Sequence, residues 1–126
     1  MIAYLDTNIV LWLNGAELDR LTFEARRVIR EADLRLAPMV LLELQYLFEI
    51  HRSAFPSRDI TMKLGRELGL RVCDLAFPLV AEAALEENWT REPFDRLIVA
   101  QAKANGYAML VTADAKIRKH YPRTVW

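Results

Sequence analysis

PFDRLIVAQAKANGYAMLVTAD, residues 93–114, changes its hydrophobic period halfway along. From 93 to 105 the apolar side chains recur at helical spacing: Ile98, Val99 and Ala102 share one face, while Arg96 and Lys103 share another. Pro93 suits a first helical turn and Gly106 a C-terminal stop. The run AMLV at 108–111 then has the short, apolar character of a buried strand, with Thr112 and Asp114 just beyond it. A helix that turns straight into an apolar strand is the second half of a strand–helix–strand unit, which implies a parallel sheet.

The same alternation extends outward along the chain. Strands are expected at 2–5 (IAYL), 34–37 (LRLA), 70–73 (LRVC) and 108–111, with helices at 8–14, 22–32, 39–52, 57–68, 78–87, 93–105 and 114–120. Thr22 and Ser57 suit N-caps, Pro78 a first turn and Gly69 a C-terminal stop. TVW at 124–126 adds a short edge strand. The fold class is α/β, a three-layer α/β/α arrangement around a central parallel sheet, with residues 1–126 forming one domain.

The chain has 126 residues, 53% hydrophobic, enough for one ordinary core. Lys+Arg and Asp+Glu stand at 17 each, so no net charge advertises a nucleic-acid or membrane partner. Cys73 is the single cysteine, which excludes an internal disulfide and fits a reducing compartment. No apolar stretch reaches the roughly 18 to 20 residues that span a bilayer, and the first residues lack the basic segment of a signal peptide. A cytoplasmic protein is expected.

The placement of acids is the informative feature. In a parallel sheet with right-handed crossovers, ligands collect at the carboxyl edge of the strands. Asp6 ends the first strand and Asp114 follows the strand that finishes at Thr112. Asp95 opens a helix that must begin at this edge, because its far end feeds the strand at 108–111. Glu43 lies about one turn into the helix that leaves the second strand near Pro38. Its face also carries Met39, Val40, Tyr46 and Leu47, whereas Gln45, Glu49 and Arg52 form the polar stripe. Topology thus brings Asp6, Glu43, Asp95 and Asp114 to one rim.

Each acid also has a plainer reading. Asp6 or Thr7 can cap the helix at 8–14, Asp114 can cap 114–120, and Asp95 suits the positive end of a helix dipole. Glu43 has no such reading, since capping is unavailable within a helix. Asp74 follows another strand end and is a weaker candidate, better read as a cap or turn residue before Pro78. The remaining acids belong to solvated faces and loops. Leu42, Tyr46 and Phe48 of the 39–52 helix are candidates for a partner surface, with core packing the expected use of most of them.

Two carboxylates about 5 Å apart repel by roughly 3 kcal/mol at an effective dielectric near 20. Four at one rim must be protonated, spread or neutralised by a cation. With neither His nor Cys among them the donors are hard oxygen, which suits Mg²⁺ or Mn²⁺ and not zinc. Such a site serves phosphodiester hydrolysis, and Asn8 and Thr112 are placed to orient water or a carboxylate. Capping of the following helices is the plainer use of both. Close to Asp114, KIRKHYPR offers Lys116, Arg118, Lys119, His120 and Arg123 as a basic surface for RNA phosphates, or simply a solvated helix.

Four segments resemble a known family in its order: YLDTNIVLWL (4–13), LLELQYL (41–47), EPFDRLIVAQA (92–102) and LVTADAKI (110–117). The chain resembles PIN-domain ribonucleases, in particular the VapC-like toxins of bacterial and archaeal toxin–antitoxin pairs. That resemblance implies a metal-dependent endoribonuclease that blocks translation and growth, often dimeric and held inactive by a cognate antitoxin. It implies an acidic metal site of Asp6, Glu43, Asp95 and Asp114, supported by Asn8 and Thr112. Where many members carry Asp ahead of PFDR, this chain has Glu92, a longer acid able to reach the site or merely to precede the helix.

Two other classes compete. A signalling receiver domain would use an aspartate such as Asp74 as phosphoacceptor, but it calls for paired acids after the first strand and a Lys after a fifth, neither of which is evident. A noncatalytic module of the same fold would bind RNA or protein without cleaving it.

Overall fold

A computed structural model describes all residues, 1–126. Five parallel strands make one sheet: β1 (Ile2–Leu5), β2 (Asp33–Leu36), β3 (Arg71–Val72), β4 (Met109–Val111) and β5 (Thr124–Val125), in the order β3-β2-β1-β4-β5. Seven α-helices flank it: α1 (Thr7–Asn14), α2 (Phe23–Glu31), α3 (Pro38–Glu49), α4 (Ser57–Leu68), α5 (Phe77–Ala84), α6 (Pro93–Ala104) and α7 (Ala115–His120). This is the expected three-layer α/β/α class.

The central strand shows why both faces must be covered. Successive side chains of a strand point to opposite faces, and in β1 Ala3, Tyr4 and Leu5 are all fully buried. Leu110 and Val111 of β4 are likewise buried. Unbroken apolar runs of this kind are characteristic of parallel strands sandwiched between helices. In register, Leu5 lies beside Val111 and Tyr4 beside Arg35. The residues just past β1 and β4 therefore emerge side by side, and a core of 27 buried residues surrounds these strands.

Local chemistry sets most boundaries. Thr22 caps α2 by accepting from the Ala25 amide. Gly69 ends α4 in the left-handed region at φ 70°, which a residue without Cβ adopts freely. Pro78 and Pro93 lie in the first turns of α5 and α6.

Three expectations needed correction. Ser57 is not the N-cap of α4; Pro56 holds that place and Ser57 is the first helical residue, buried with its hydroxyl unpartnered. Its amide instead donates to Gln45 Oε1 at 3.2 Å. The helix expected at 39–52 ends at Glu49, because the chain turns through His51 at φ 62°. Leu42 and Tyr46 are 57% and 49% exposed, so α3 fills the core with Val40 and Leu44 instead. A short 3₁₀ turn at Leu18–Arg20, not anticipated from the sequence, joins α1 to α2.

Candidate active site

Asp6 stands where β1 becomes α1. Its backbone amide donates to the Val111 carbonyl at 3.0 Å, continuing the β1–β4 ladder by one residue, while its extended φ and ψ make it the N-cap of α1. Its carboxylate is held at both ends: Oδ1 accepts from the Thr7 amide at 2.8 Å and Oδ2 from the Thr112 hydroxyl at 2.6 Å. Only 6% of the residue is exposed. Burial raises its pKa most, those two hydrogen bonds oppose the rise, and the charges of Asp114 and Glu92 add to it.

The capping reading and the rim reading of Asp6 are both satisfied by one geometry. The same holds for Asp114, whose Oδ1 accepts from the Ile117 amide at 2.9 Å to cap α7. Thr112 links the two acids: it is fully buried, donates to Asp6 and accepts from the Asp114 amide at 3.0 Å. It does not cap the helix; it ties the ends of two strands together.

Glu43 comes to this edge on the second turn of α3 and accepts a hydrogen bond from the Thr7 hydroxyl through Oε1. Burial raises its pKa, the Thr7 bond lowers it, and the Asp6 and Glu92 charges raise it further. Thr7, considered in the sequence only as a capping residue, joins α1 to α3 here. The signal for it was its place directly after Asp6, which aims its hydroxyl into the same rim.

Asp95 lies in the first turn of α6. Burial pushes its pKa up to about 7, and next come the charges of Asp6, Glu92, Asp114 and Glu43. The charges of Asp6, Glu43 and Asp114, drawn from three other segments, are thus all felt at Asp95. Glu92 joins them electrostatically. It is also the N-cap of α6, accepting from the Phe94 amide at 3.1 Å and the Asp95 amide at 2.6 Å. Its carboxylate therefore caps the helix it precedes, while its charge is felt at Asp6, Glu43 and Asp95.

Not every candidate is drawn in. Asp74 is exposed beyond β3, an edge strand two places from β1, and is not among the acids that chiefly raise Asp95. That position leaves the receiver reading without a central phosphoacceptor. Asn8 is exposed on the first turn of α1. Lys116, Arg118 and Lys119 are exposed on α7 and Arg123 follows it. Arg123 donates to the Tyr107 carbonyl at 3.3 Å, and none of the four forms an ion pair.

No three His, Cys, Asp or Glu side chains are drawn into a ready-made coordination cluster. Asp6 and Glu43 are instead turned onto threonine hydroxyls and amides. The donor set nevertheless fits a hard divalent cation, being made of carboxylates and hydroxyls with neither thiolate nor imidazole. The upward shifts of Asp6, Glu43 and Asp95 come first from burial and then from neighbouring negative charge, and a cation would offset both as protonation does.

Fold and rim together define an α/β domain with an all-oxygen acidic site at the carboxyl edge of a parallel sheet. The PIN domain family profile matches residues 3–121, and the chain belongs to that family. It is similar to Ribonuclease VapC22 of Mycobacterium tuberculosis (strain ATCC 25618 / H37Rv), with 35% identity over 129 residues, spanning 97% of this chain and 96% of that protein. Its fold is also that of VapBC2 from Rickettsia felis, solved bound to a DNA fragment from their promoter. There the TM-score is 0.65 and the identity 24%, over 98% of this chain and 96% of that one. No helix is long and apolar enough to cross a membrane.

Proposed function

We propose that this chain is a metal-dependent endoribonuclease that hydrolyses RNA phosphodiester bonds and serves as the toxin of a toxin–antitoxin pair, arresting translation and growth. The observation that carries this reading is the convergence of Asp6, Glu43, Asp95 and Asp114 at one edge, with Asp95 pushed up to about 7 by burial and by the other acids. Its likeness to a protein named as a ribonuclease supports the reaction class.

Asp6, Glu43, Asp95 and Asp114 would hold Mg²⁺ or Mn²⁺. Bound there, the ion supplies charge neutralisation on the scissile phosphate and acidification of a water. The protein's own contribution is to fix its donors. Thr112 and Thr7 pin the Asp6 carboxylate at both oxygens, and Thr7 also engages Glu43, so two donors keep their orientation without substrate. Glu92 anchors the start of α6 and thereby the backbone of Asp95. Asn8, exposed beside Asp6, supports the site from α1. Lys116, Arg118, Lys119 and Arg123, free of carboxylate partners, take RNA phosphates by salt-dependent, sequence-independent contacts.

The partners follow from surface chemistry. Leu42 and Tyr46 of α3 and Phe77 and Leu79 of α5 are large, apolar and exposed. A cavity of about 150 Å³ among Pro38, Met39, Leu42, Phe77, Val80, Leu97 and Gln101 lies within this region. Exposed apolar surface around such a cavity, here supplied by Leu42 and Phe77, is typical of protein contacts. We assign it to a homodimer, with a cognate antitoxin as the further partner, and the chain to the cytoplasm.

The test incubates RNA with Mg²⁺ and compares the parent with Asp6→Asn and Asp95→Asn. Cleavage by the parent that is abolished by EDTA and falls at least about a hundredfold in both variants supports the reading, as expected for removing a group from the reacting site. Equal cleavage by all three proteins removes it. Growth arrest on expression, relieved by a co-expressed neighbouring gene, tests the toxin assignment.

A further inference from the structure

Beyond the acids, the segment between α5 and α6 meets α7 in a contact that phosphate binding does not explain. The Trp89 indole and the His120 imidazole stack with centroids 4.9 Å apart and planes within 8° of parallel. Lys116, one turn before His120 on α7, holds its ammonium 5.9 Å from the same indole. The indole is itself fixed, because its Nε1 donates at 2.5 Å to Glu87, a carboxylate that is 2% exposed and paired with Lys103.

The indole is thus anchored by a buried acid and carries on its face a ring that is exposed to solvent. The stack fixes the imidazole plane, so that an exposed ring is held flat beside the helix and open to a further planar group. His120 follows Asp114, the cap of α7, by six residues, or about 9 Å of helical rise. Lys116, Arg118 and Lys119, between them in sequence, form no ion pair. An aromatic face with unpaired cations alongside is the combination that holds single-stranded nucleic acid, the ring taking a base and the cations the backbone.

We infer that Trp89 and His120 form a base-stacking platform, on which an unpaired base of the RNA lies against the outer face of His120 while the neighbouring phosphodiester reaches the acidic rim. This inference rests on the ribonuclease reading and makes His120 a determinant of where a single-stranded substrate is cut. It acts through stacking, which accepts any base but favours purines for their larger faces, and not through readout of base edges.

The test uses Asp95→Asn protein in EDTA, so that no cleavage intervenes, and a uridine-rich RNA of about 12 nucleotides, within the site sizes of single-strand binders. One 2-aminopurine is moved through its positions. Stacking quenches the fluorescence of that base, and quenching confined to one or two positions is expected. Adding His120→Ala should remove the quench and weaken binding about fivefold or more. Adding His120→Phe, which keeps a ring and loses the imidazole, should retain both. Unaltered quenching in the alanine variant overturns the inference, as does a phenylalanine variant that behaves like alanine, or a failure of the RNA to bind. A thermal melt of each variant separates loss of stacking from loss of fold. Cleavage by the parent in Mg²⁺ is measured separately: its absence, with the ring-dependent quench intact, would sink the nuclease reading and leave the platform standing.

Discussion

Replacing Asp95 by Asn should make the metal-free protein more stable at pH 8, although it removes a residue assigned to the active site. Burial and four neighbouring acids push the Asp95 carboxyl from 3.8 up to about 7. Below pH 4 the group is neutral in both folded and unfolded chains and contributes no difference. Between about 4 and 7 the folded protein keeps a proton that the unfolded chain has lost, so stability falls as pH rises through this window. Above 7 the whole penalty is present. A shift of roughly three units corresponds to about 4 kcal/mol at most. Because the side chain is only half-buried, solvent screening reduces this to about 1–2 kcal/mol. Urea unfolding in EDTA at pH 4 and pH 8 measures it. The parent should lose about that amount between the two pH values, whereas Asp95→Asn should lose much less and exceed the parent at pH 8. Addition of Mg²⁺ should close the gap, since an ion that binds only the folded state stabilises the protein with the fuller set of ligands. A variant less stable than the parent at pH 8, with the same dependence on pH, would refute the claim that these acids repel one another across one rim.

Two further substitutions probe how the site is supported. Thr112→Val keeps the volume but removes both the donor to Asp6 Oδ2 and the acceptor for the Asp114 amide. It should cost about 1–3 kcal/mol in denaturant unfolding, and the loss should shrink as pH falls, because burial raises the Asp6 pKa and the neutral acid depends less on that donor. Lys103→Met strands the Glu87 carboxylate, 2% exposed, whose partner ammonium is itself only 23% exposed. A loss of about 3–5 kcal/mol is expected, and it should be largely recovered when Glu87→Gln is added, because the cost lies in the uncompensated charge. If the double variant were as unstable as the single one, packing by the lysine stem would be the operative contribution.

The alternation of strands and helices, the carboxyl-edge positions of Asp6, Asp95 and Asp114, and most helix ends are legible along the chain. These depend on periodicity, capping and chain direction, all local properties. The sequence also carried Glu43 to the rim, because the residue lies about one turn into the helix that leaves β2 at this edge and shares a face with Val40. Where one helix presents apolar groups on several faces, as α3 does, the pattern could not say which face the core would take. Val40 and Leu44 are buried while Leu42 and Tyr46 face solvent. The bond of Thr7 to Glu43, that of Thr112 to Asp6 and the stack of Trp89 on His120 arise only once the chain is folded. Such contacts link residues 36, 106 and 31 positions apart, read directly from their numbers. They depend on strand register and on how far each crossover carries the chain, and no local propensity encodes either distance.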